Sequence, residues 1–383
     1  MASLPTPSAS LDSLISLADF ERSAQATLKP KSWAYYASTA DDGITNRDNI
    51  DLWDEVRFRP RVLRDVGGEV DMSVELAGVK SRVPFMISPA AMGKLAHRDG
   101  ELCLVKGAGR TGMIYCPSNH ASVSHRDLSS ACLHTQSLFF QLYVHRERWR
   151  SEKQLAEARK LAFKAVVVTV DVPIAGNREL DLRTGLDANA VELANPGMEV
   201  GKKVLAVAET TATIDASLSW SDFAWVKQAS GGLPVFIKGI QTAEDVVLAY
   251  KAGAAGVFIG PHGGRQVDTA STPLETLLEL RHLAPHLLRN PRFPLILDGG
   301  IRRGTSLVKA LCLGASAVSL GRPFMFSLVY GEDGVERLAR VLEEEVGRCL
   351  RLLGVKTLGE LGEEDVNVRR AERRVWLGGV EKL

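Results

Sequence analysis

Nowhere in the 383 residues is there an unbroken apolar run near the roughly 20 positions that a bilayer span needs, so no membrane partner is expected. The opening MASLPTPSASLDSLISL lacks both a basic start and a continuous apolar core, which argues against a secretory leader and for a soluble, intracellular protein. Cysteine is scarce. Cys103, Cys116, Cys132, Cys312 and Cys349 show no CxxC spacing and most lie in apolar segments, so they are expected to be reduced core residues, with neither a disulfide framework nor a metal site. An excess of either charge is also missing: Lys+Arg 47 against Asp+Glu 46 leaves +1, and no basic block tracks a phosphate backbone, so nucleic acid is not an expected partner. What the chain does have is bulk. A hydrophobic content of 45% over this length suffices for one large α/β barrel or for two ordinary domains.

Residues 1 to about 12 are rich in serine and proline and are expected to form a mobile tail, leaving 13–383 as one domain. LDSLISLADFERSAQATL has helical periodicity that Pro30 interrupts, and KSWAYYASTADD and NRDNIDLWDEV continue a helical cap. VDMSVELAGVKSRV alternates like a hairpin. From Val83 onward strand and helix alternate strictly, with eight strand segments: VPFMISP, MIYCPS, LFFQLYV, AVVVTVD, LPVFIKG, AGVFIGP, PLILDGG and AVSLGRP. Eight such units in unbroken succession predict an α/β fold of the (β/α)8 TIM-barrel kind rather than a doubly wound sheet. Between Asp171 and Ser219 a long insertion, containing PGMEVGKK and AETTATIDAS, breaks the rhythm. It leaves the C-terminal end of the fourth strand, where barrels carry their chemistry, and is expected to be a partly mobile lid.

The stretch Lys238 to Gln266 is one βαβ unit: LPVFIKG, then TAEDVVLAYKAG with Thr242 as N-cap and Gly253 as stop, then AAGVFIG. A right-handed connection brings Lys238 and His262 to the same C-terminal edge of a parallel sheet. A lysine ending a strand is usually a solvated charge, and a lone loop histidine usually does nothing. HGGR changes the balance, because two glycines let the backbone approach a ligand and Arg265 follows the imidazole by three residues, placing a base beside an anion clamp. DGGIRRGT (298–305) and LGRP (320–323) end the seventh and eighth strands, where barrels bind phosphate. Either stretch alone could be a turn with solvated charge. Together, their glycine N–H groups, a helix N-terminus near Thr305, Arg302 and Arg322 predict an anion cradle.

At this level the chain resembles the FMN-dependent 2-hydroxy-acid oxidase and dehydrogenase family, which includes glycolate oxidase, lactate oxidase and the flavin domain of flavocytochrome b2. The resemblance runs from about Leu17 to the last long helix and is carried by YYAS (35–38), FRPRVL (58–63), SPAAMGKLAHRDGE (88–101), FFQLYV (139–144), TVDVP (169–173), IKG (237–239), HGGRQ (262–266), DGGIRRGT and LGRP. It implies FMN in the cradle, with Asp298 at the ribityl chain and Gly300, Arg302, Gly321 and Arg322 around the phosphate. Ser118, Gln141 and Thr169 match flavin-ring contacts, the Ala91 backbone lies near the reactive N5, and Lys238 stabilises negative charge at N1 and C2=O. Arg178 and Arg265 match the substrate-carboxylate clamp, Tyr35 and Tyr143 the phenols on the bound acid, His262 the catalytic base and Asp171 its carboxylate partner. The implied reaction oxidises an (S)-2-hydroxy acid to the 2-oxo acid, by carbanion or hydride transfer, in a homotetramer. With no appended haem domain or membrane segment, molecular oxygen is the expected acceptor, giving hydrogen peroxide.

Several positions depart from the family pattern. Gly260 and Pro261 replace the Ser-Asn that commonly precedes the histidine, which puts the aim of His262 in question. Gly93 replaces a common glutamine and is expected to loosen packing near the flavin. His120 and Ala175 stand where glycolate oxidase-like sequences carry tryptophan and leucine, which predicts a wider pocket. The final Glu381-Lys382-Leu383 only distantly matches a Ser-Lys-Leu peroxisomal address, so a cytoplasmic location is expected, with the peroxisome as the alternative. Two rival functions stay open: a flavin-dependent isomerase or biosynthetic enzyme without simple oxidase turnover, and a flavin-binding interaction protein. Aerobic peroxide release separates them.

Overall fold

The computed structural model describes residues 6–184 and 213–375. PGMEVGKK, part of AETTATIDAS and the C-terminal tripeptide therefore lie outside the described residues, as does the start of the expected tail. Of that tail, Ala9 accepts a hydrogen bond from the Tyr330 hydroxyl at 3.1 Å and Leu11–Ser13 forms a short 3-10 turn. Three N-terminal helices follow, Leu17–Thr27, Pro30–Ala37 and Ile44–Asp51. Pro30 opens the second rather than merely ending the first, as its fixed φ and missing N–H permit at a first helical turn. Val74–Leu76 and Val79–Ser81 make the expected antiparallel hairpin.

The centre is a seven-stranded parallel sheet in the order Phe85–Ile87, Ala317–Leu320, Leu295–Asp298, Gly256–Ile259, Val235–Ile240, Ala165–Thr169, Phe139–Leu142. MIYCPS does not extend into a strand of its own. Tyr115 alone pairs there, in parallel with Ile87 on one side and Leu138 on the other, and so ties the two edge strands together. The segment is held short by Gly112, in the left-handed region at φ 69°, and by Pro117, which has no N–H to continue a ladder. The expected helices between strands form, including Ala243–Lys251, whose Thr242 cap accepts from the Asp245 N–H. Gly331–Leu353 packs against Glu101–Thr111 so closely that a Cβ on Gly107 would lie 2.5 Å from Val335 Cγ1. Among the described residues, no helix is long and apolar enough to cross a membrane.

Side chains two apart on a strand share a face. Met86, Ile114, Cys116, Phe139, Val167, Phe236, Phe258, Ile296 and Ala317 belong to one buried apolar cluster inside the curled sheet, separate from the larger core between strands and helices. Two residues beyond its members, toward the C-terminal edge, come Ser88, Ser118, Gln141, Thr169, Lys238, Asp298 and Ser319, all buried, with Gly260 following Phe258. The interior thus changes from apolar to polar within one step along each strand. Buried polar groups need partners, so this layer marks the floor of a site.

Candidate active site

Above that layer lies a cavity lined by, among others, Tyr35, Ala91, Ser118, Tyr143, Arg178, Lys238, His262, Arg265, Asp298, Gly300, Arg302, Gly321 and Arg322. Gln141 and Thr169 stand behind the wall. Gln141 Nε2 donates to Thr169 Oγ1 at 3.1 Å, while its Oε1 accepts from the Asn119 N–H at 2.7 Å and from Ser118 Oγ at 3.4 Å, so one amide joins the ends of three successive strand segments.

His262 sits in the turn after Gly256–Ile259 with φ +53°, a left-handed conformation that a non-glycine residue adopts only when its surroundings impose it. Its Nδ1 is 3.0 Å from Asp171 Oδ1. Nδ1 donating to a carboxylate leaves Nε2 as the proton acceptor, the state a general base requires. The Pro261 carbonyl accepts from the Gly264 N–H at 2.9 Å and closes the turn that carries His262. Burial works against the Asp171 charge, but His262 and Lys238 outweigh it and hold the carboxyl below its ordinary range. Gly239, at φ +102°, makes room for that carboxylate: a Cβ there would lie 2.4 Å from Asp171 Cγ.

Lys238 is buried, with Nζ 2.6 Å from Asp298 Oδ2, and Ser88 Oγ donates to Asp298 Oδ1 at 2.6 Å. Burial alone would lower the lysine, but Asp298 and Asp171 reverse this and hold it above its ordinary value. Arg178 and Arg265, both far from Tyr35 in sequence, share its ring, each guanidinium carbon 5.3 Å from the centroid. Arg178 is ion-paired with Asp181. Arg265 donates to the carbonyls of Tyr35 and Tyr36, and burial with the neighbouring Arg178 pushes it down to about 9, still cationic at neutral pH. Burial, aided by Asp171, raises the Tyr143 phenol, which therefore stays a protonated donor.

Arg322 donates to the carbonyls of Tyr36 and Ser38 and to Asn46 Oδ1. Burial, Arg265 and Arg302 together force it well below its ordinary value. Four guanidiniums therefore face one cavity, and among the described residues Arg265 and Arg322 hydrogen-bond only neutral oxygens. That charge calls for an anion. Gly299 and Gly300, at φ 105° and 79°, turn the chain beneath it, and a Cβ at Gly300 would lie 2.0 Å from the Asn49 carbonyl oxygen. Ser319 Oγ is buried with no partner among the described residues, a further donor left for a ligand.

Several residues that shape the site have no role in the sequence reading. Ser88 holds Asp298. Gln266 Nε2 donates to the Asp171 carbonyl at 2.7 Å and the Ile174 carbonyl at 3.0 Å, fastening the loop that carries Arg178. Glu101, fully buried, accepts from the N–H groups of Gly93 and Ser122 at 2.8 and 2.9 Å and fixes the segment after Ala91. Gly93 is accordingly tightly packed rather than loosened: a Cβ would lie 2.8 Å from Glu101 Cδ. A signal for Ser88 was available in its place, two residues beyond an interior apolar side chain.

Such a site, a base–carboxylate pair beside a cluster of guanidiniums at the C-terminal edge of a parallel sheet, suits an α/β enzyme that takes anionic ligands. Residues 24–368 match the family model described as FMN-dependent dehydrogenase. The chain is 38% identical to L-lactate dehydrogenase (cytochrome) of Wickerhamomyces anomalus across 95% of its own length, and spans only 63% of that relative. With Glycolate oxidase 3 of Oryza sativa subsp. indica it is 35% identical, covering 93% of this chain and 97% of the relative. The solved flavin-binding domain of baker's yeast flavocytochrome b2 superposes with a TM-score of 0.85 at 36% identity, over 97% of this chain and 91% of that one. A mandelate oxidase solved with (S)-4-hydroxymandelic acid gives 0.84 at 33% identity, over 92% and 98%. The chain belongs to the FMN-dependent dehydrogenase family. FMN is its cofactor, and the unbalanced guanidiniums, the paired glycines and the unpartnered Ser319 hydroxyl fit a flavin phosphate and its ribityl chain.

Proposed function

We propose that the protein oxidises an (S)-2-hydroxy acid to the 2-oxo acid, with molecular oxygen as acceptor and hydrogen peroxide as by-product. The observation that carries this reading is the His262–Asp171 pair at 3.0 Å facing the same cavity as the Arg178 and Arg265 guanidiniums. Those two arginines hold the substrate carboxylate, and Tyr35 and Tyr143 orient it. His262 Nε2 takes a proton from the substrate, and the Asp171 carboxylate stabilises the imidazolium that results. Gly300, Arg302, Gly321 and Arg322 hold the FMN phosphate, Asp298 its ribityl chain, and Ala91, Ser118, Gln141 and Thr169 its ring. Lys238 places a fixed positive charge where the ring becomes negative. When bound, FMN supplies the two-electron acceptor for the substrate and passes the pair to oxygen. The likeness to glycolate oxidase and mandelate oxidase supports oxygen as acceptor. We read the curled sheet, with Tyr115 joining its edges, as a closed (β/α)8 barrel, and the assembly as a homotetramer.

Purified protein should be yellow and release FMN on denaturation. Adding a 2-hydroxy acid without oxygen should bleach the flavin, and in air should yield peroxide in step with 2-oxo acid. His262→Gln should retain the flavin but bleach at least ~100-fold more slowly, within the range for a general base. A bound flavin that no 2-hydroxy acid bleaches would overturn the reading.

A further inference from the structure

One of the polar side chains lining the cavity, that of His120, has no part in the proposed reaction. His120 is half-buried in the cavity wall and stacks on Tyr143, with ring centroids 5.3 Å apart and planes inclined by only 22°. Tyr143 is a phenol proposed to hold the acid, so the imidazole lies next to the substrate's position. The backbone N–H of His120 is occupied by Ser118 Oγ at 3.1 Å. Neither ring nitrogen has a hydrogen-bond partner among the described residues. His125 nearby is different: its Nε2 is 3.1 Å from the Ser118 carbonyl and its ring packs on Phe140, so it is satisfied within the fold.

The rest of the wall sharpens the contrast. Val172, Ala175 and Ile214 line the same cavity and offer no hydrogen bond from their side chains. The arginines there are already assigned to a carboxylate and a phosphate. With no partner inside the fold and a place in the cavity wall, the imidazole is left to hydrogen-bond a ligand or water. Burial, with His125 close by, pushes His120 down to about 4, so at neutral pH it has one N–H donor and one bare nitrogen acceptor. A hydroxyl group, itself a donor and an acceptor, matches that pair. A second carboxylate could accept the N–H but would leave the bare nitrogen facing its own negative charge.

We propose that His120 is a specificity-determining residue that selects 2-hydroxy acids bearing a hydroxyl on the side chain, with hydroxyaryl acids as the class that suits its flat wall with Tyr143. This rests on the proposed oxidation of 2-hydroxy acids and names the substrates that oxidation prefers. A site that hydrogen-bonds a substrate hydroxyl discriminates against the analogue lacking it, whereas an apolar pocket hardly distinguishes the two. One neutral hydrogen bond is enough for a preference of about 10-fold.

The test uses the FMN-loaded protein and matched (S)-substrates: 3-(4-hydroxyphenyl)lactate, 3-phenyllactate and malate. The second-order rate of anaerobic flavin bleaching is measured for each. The expected ratio of the hydroxyphenyl acid to the phenyl acid is about 10, with malate slower than both. His120→Phe, which keeps the stack on Tyr143, should bring the ratio to about 1, and His120→Gln, which keeps a donor and an acceptor, should retain part of the preference. If 2-hydroxy acids bleach the flavin but the wild-type ratio is near 1, if malate is fastest, or if His120→Phe keeps the full ratio, the inference is overturned while the oxidase reading stands. Failure of every 2-hydroxy acid to bleach the flavin would sink the oxidase reading itself.

Discussion

Gly260 provides a severe test of how tightly this site is built, because restoring the serine common among its relatives should damage it. A Cβ at that position would lie 2.0 Å from the Asp298 carbonyl oxygen, whereas real Cβ atoms essentially never approach within 3.0 Å. Either the turn carrying His262 or the end of Leu295–Asp298 must then shift by about 1 Å. Asp298 has little freedom to move, since its carboxylate is held by Lys238 and Ser88, both at 2.6 Å. Overpacking of this kind costs about 1–3 kcal/mol. At about 2.1 cal/mol/K of unfolding entropy per residue, the 383-residue chain shifts by about 1 °C per kcal/mol, so the melting point of Gly260→Ser should fall by roughly 1–4 °C. A misplacement near 1 Å can cost about 100-fold in rate, so flavin bleaching should slow far more than stability suggests. Thermal melts, FMN titration of the apoprotein and anaerobic bleaching read the three effects separately. Gly260→Ala adds the same Cβ without a hydroxyl and should behave alike, while combining Gly260→Ser with Pro261→Asn should recover part of the loss if the proline draws the turn against the strand. A Gly260→Ser protein with wild-type melting point and bleaching rate would refute the argument.

Asp171→Asn keeps the shape but not the charge, and bleaching by 2-hydroxy acids should fall at least ~10-fold as the imidazolium loses its stabilisation. Because the folded protein holds Asp171 below its ordinary value, that carboxylate stabilises the fold at neutral pH, and the contribution disappears as pH falls from the ordinary carboxylate range through the lowered value. Urea melts between pH 3 and 7 should therefore show a steeper acid loss in wild type than in Asp171→Asn, and parallel profiles would contradict the assignment. With Ala175 lining the cavity, medium-chain or aryl 2-hydroxy acids should outperform glycolate, each buried methylene being worth about 0.8 kcal/mol. Ala175→Leu should shrink that advantage several-fold, and a clear preference of the wild type for glycolate would end the idea.

The alternation of strands and helices is legible because its two periods are written into separate segments of the chain. Where it misleads, backbone chemistry intervenes. MIYCPS has strand-like residues, but the Gly112 turn and Pro117 leave only Tyr115 able to pair. Arg322–Ser327 is helical although LGRP reads as a loop, and Pro323 inside its first turn was the available cue. In the site, Lys238, His262 and the arginine loops follow from strand ends, but the pairing of His262 with Asp171, 91 positions apart, came from resemblance rather than spacing. Ser88, Gln266 and Glu101 escaped notice because a single polar residue in an apolar segment carries no period of its own. Their importance emerges only when neighbouring strands are brought into register, as Ser319 pairing beside Asp298 illustrates.

The cluster formed by Arg178, Arg265, Arg302 and Arg322 has a consequence beyond recognition. Their mutual repulsion is a strain that the unloaded polypeptide must bear and that a bound phosphate relieves, so loading and folding are thermodynamically linked. Newly made chains would then compete for flavin during maturation. Where the vitamin supply is short, the unfilled fraction is the part exposed to unfolding and proteolysis, and the amount of this protein in a cell would track the availability of riboflavin even at constant rates of synthesis.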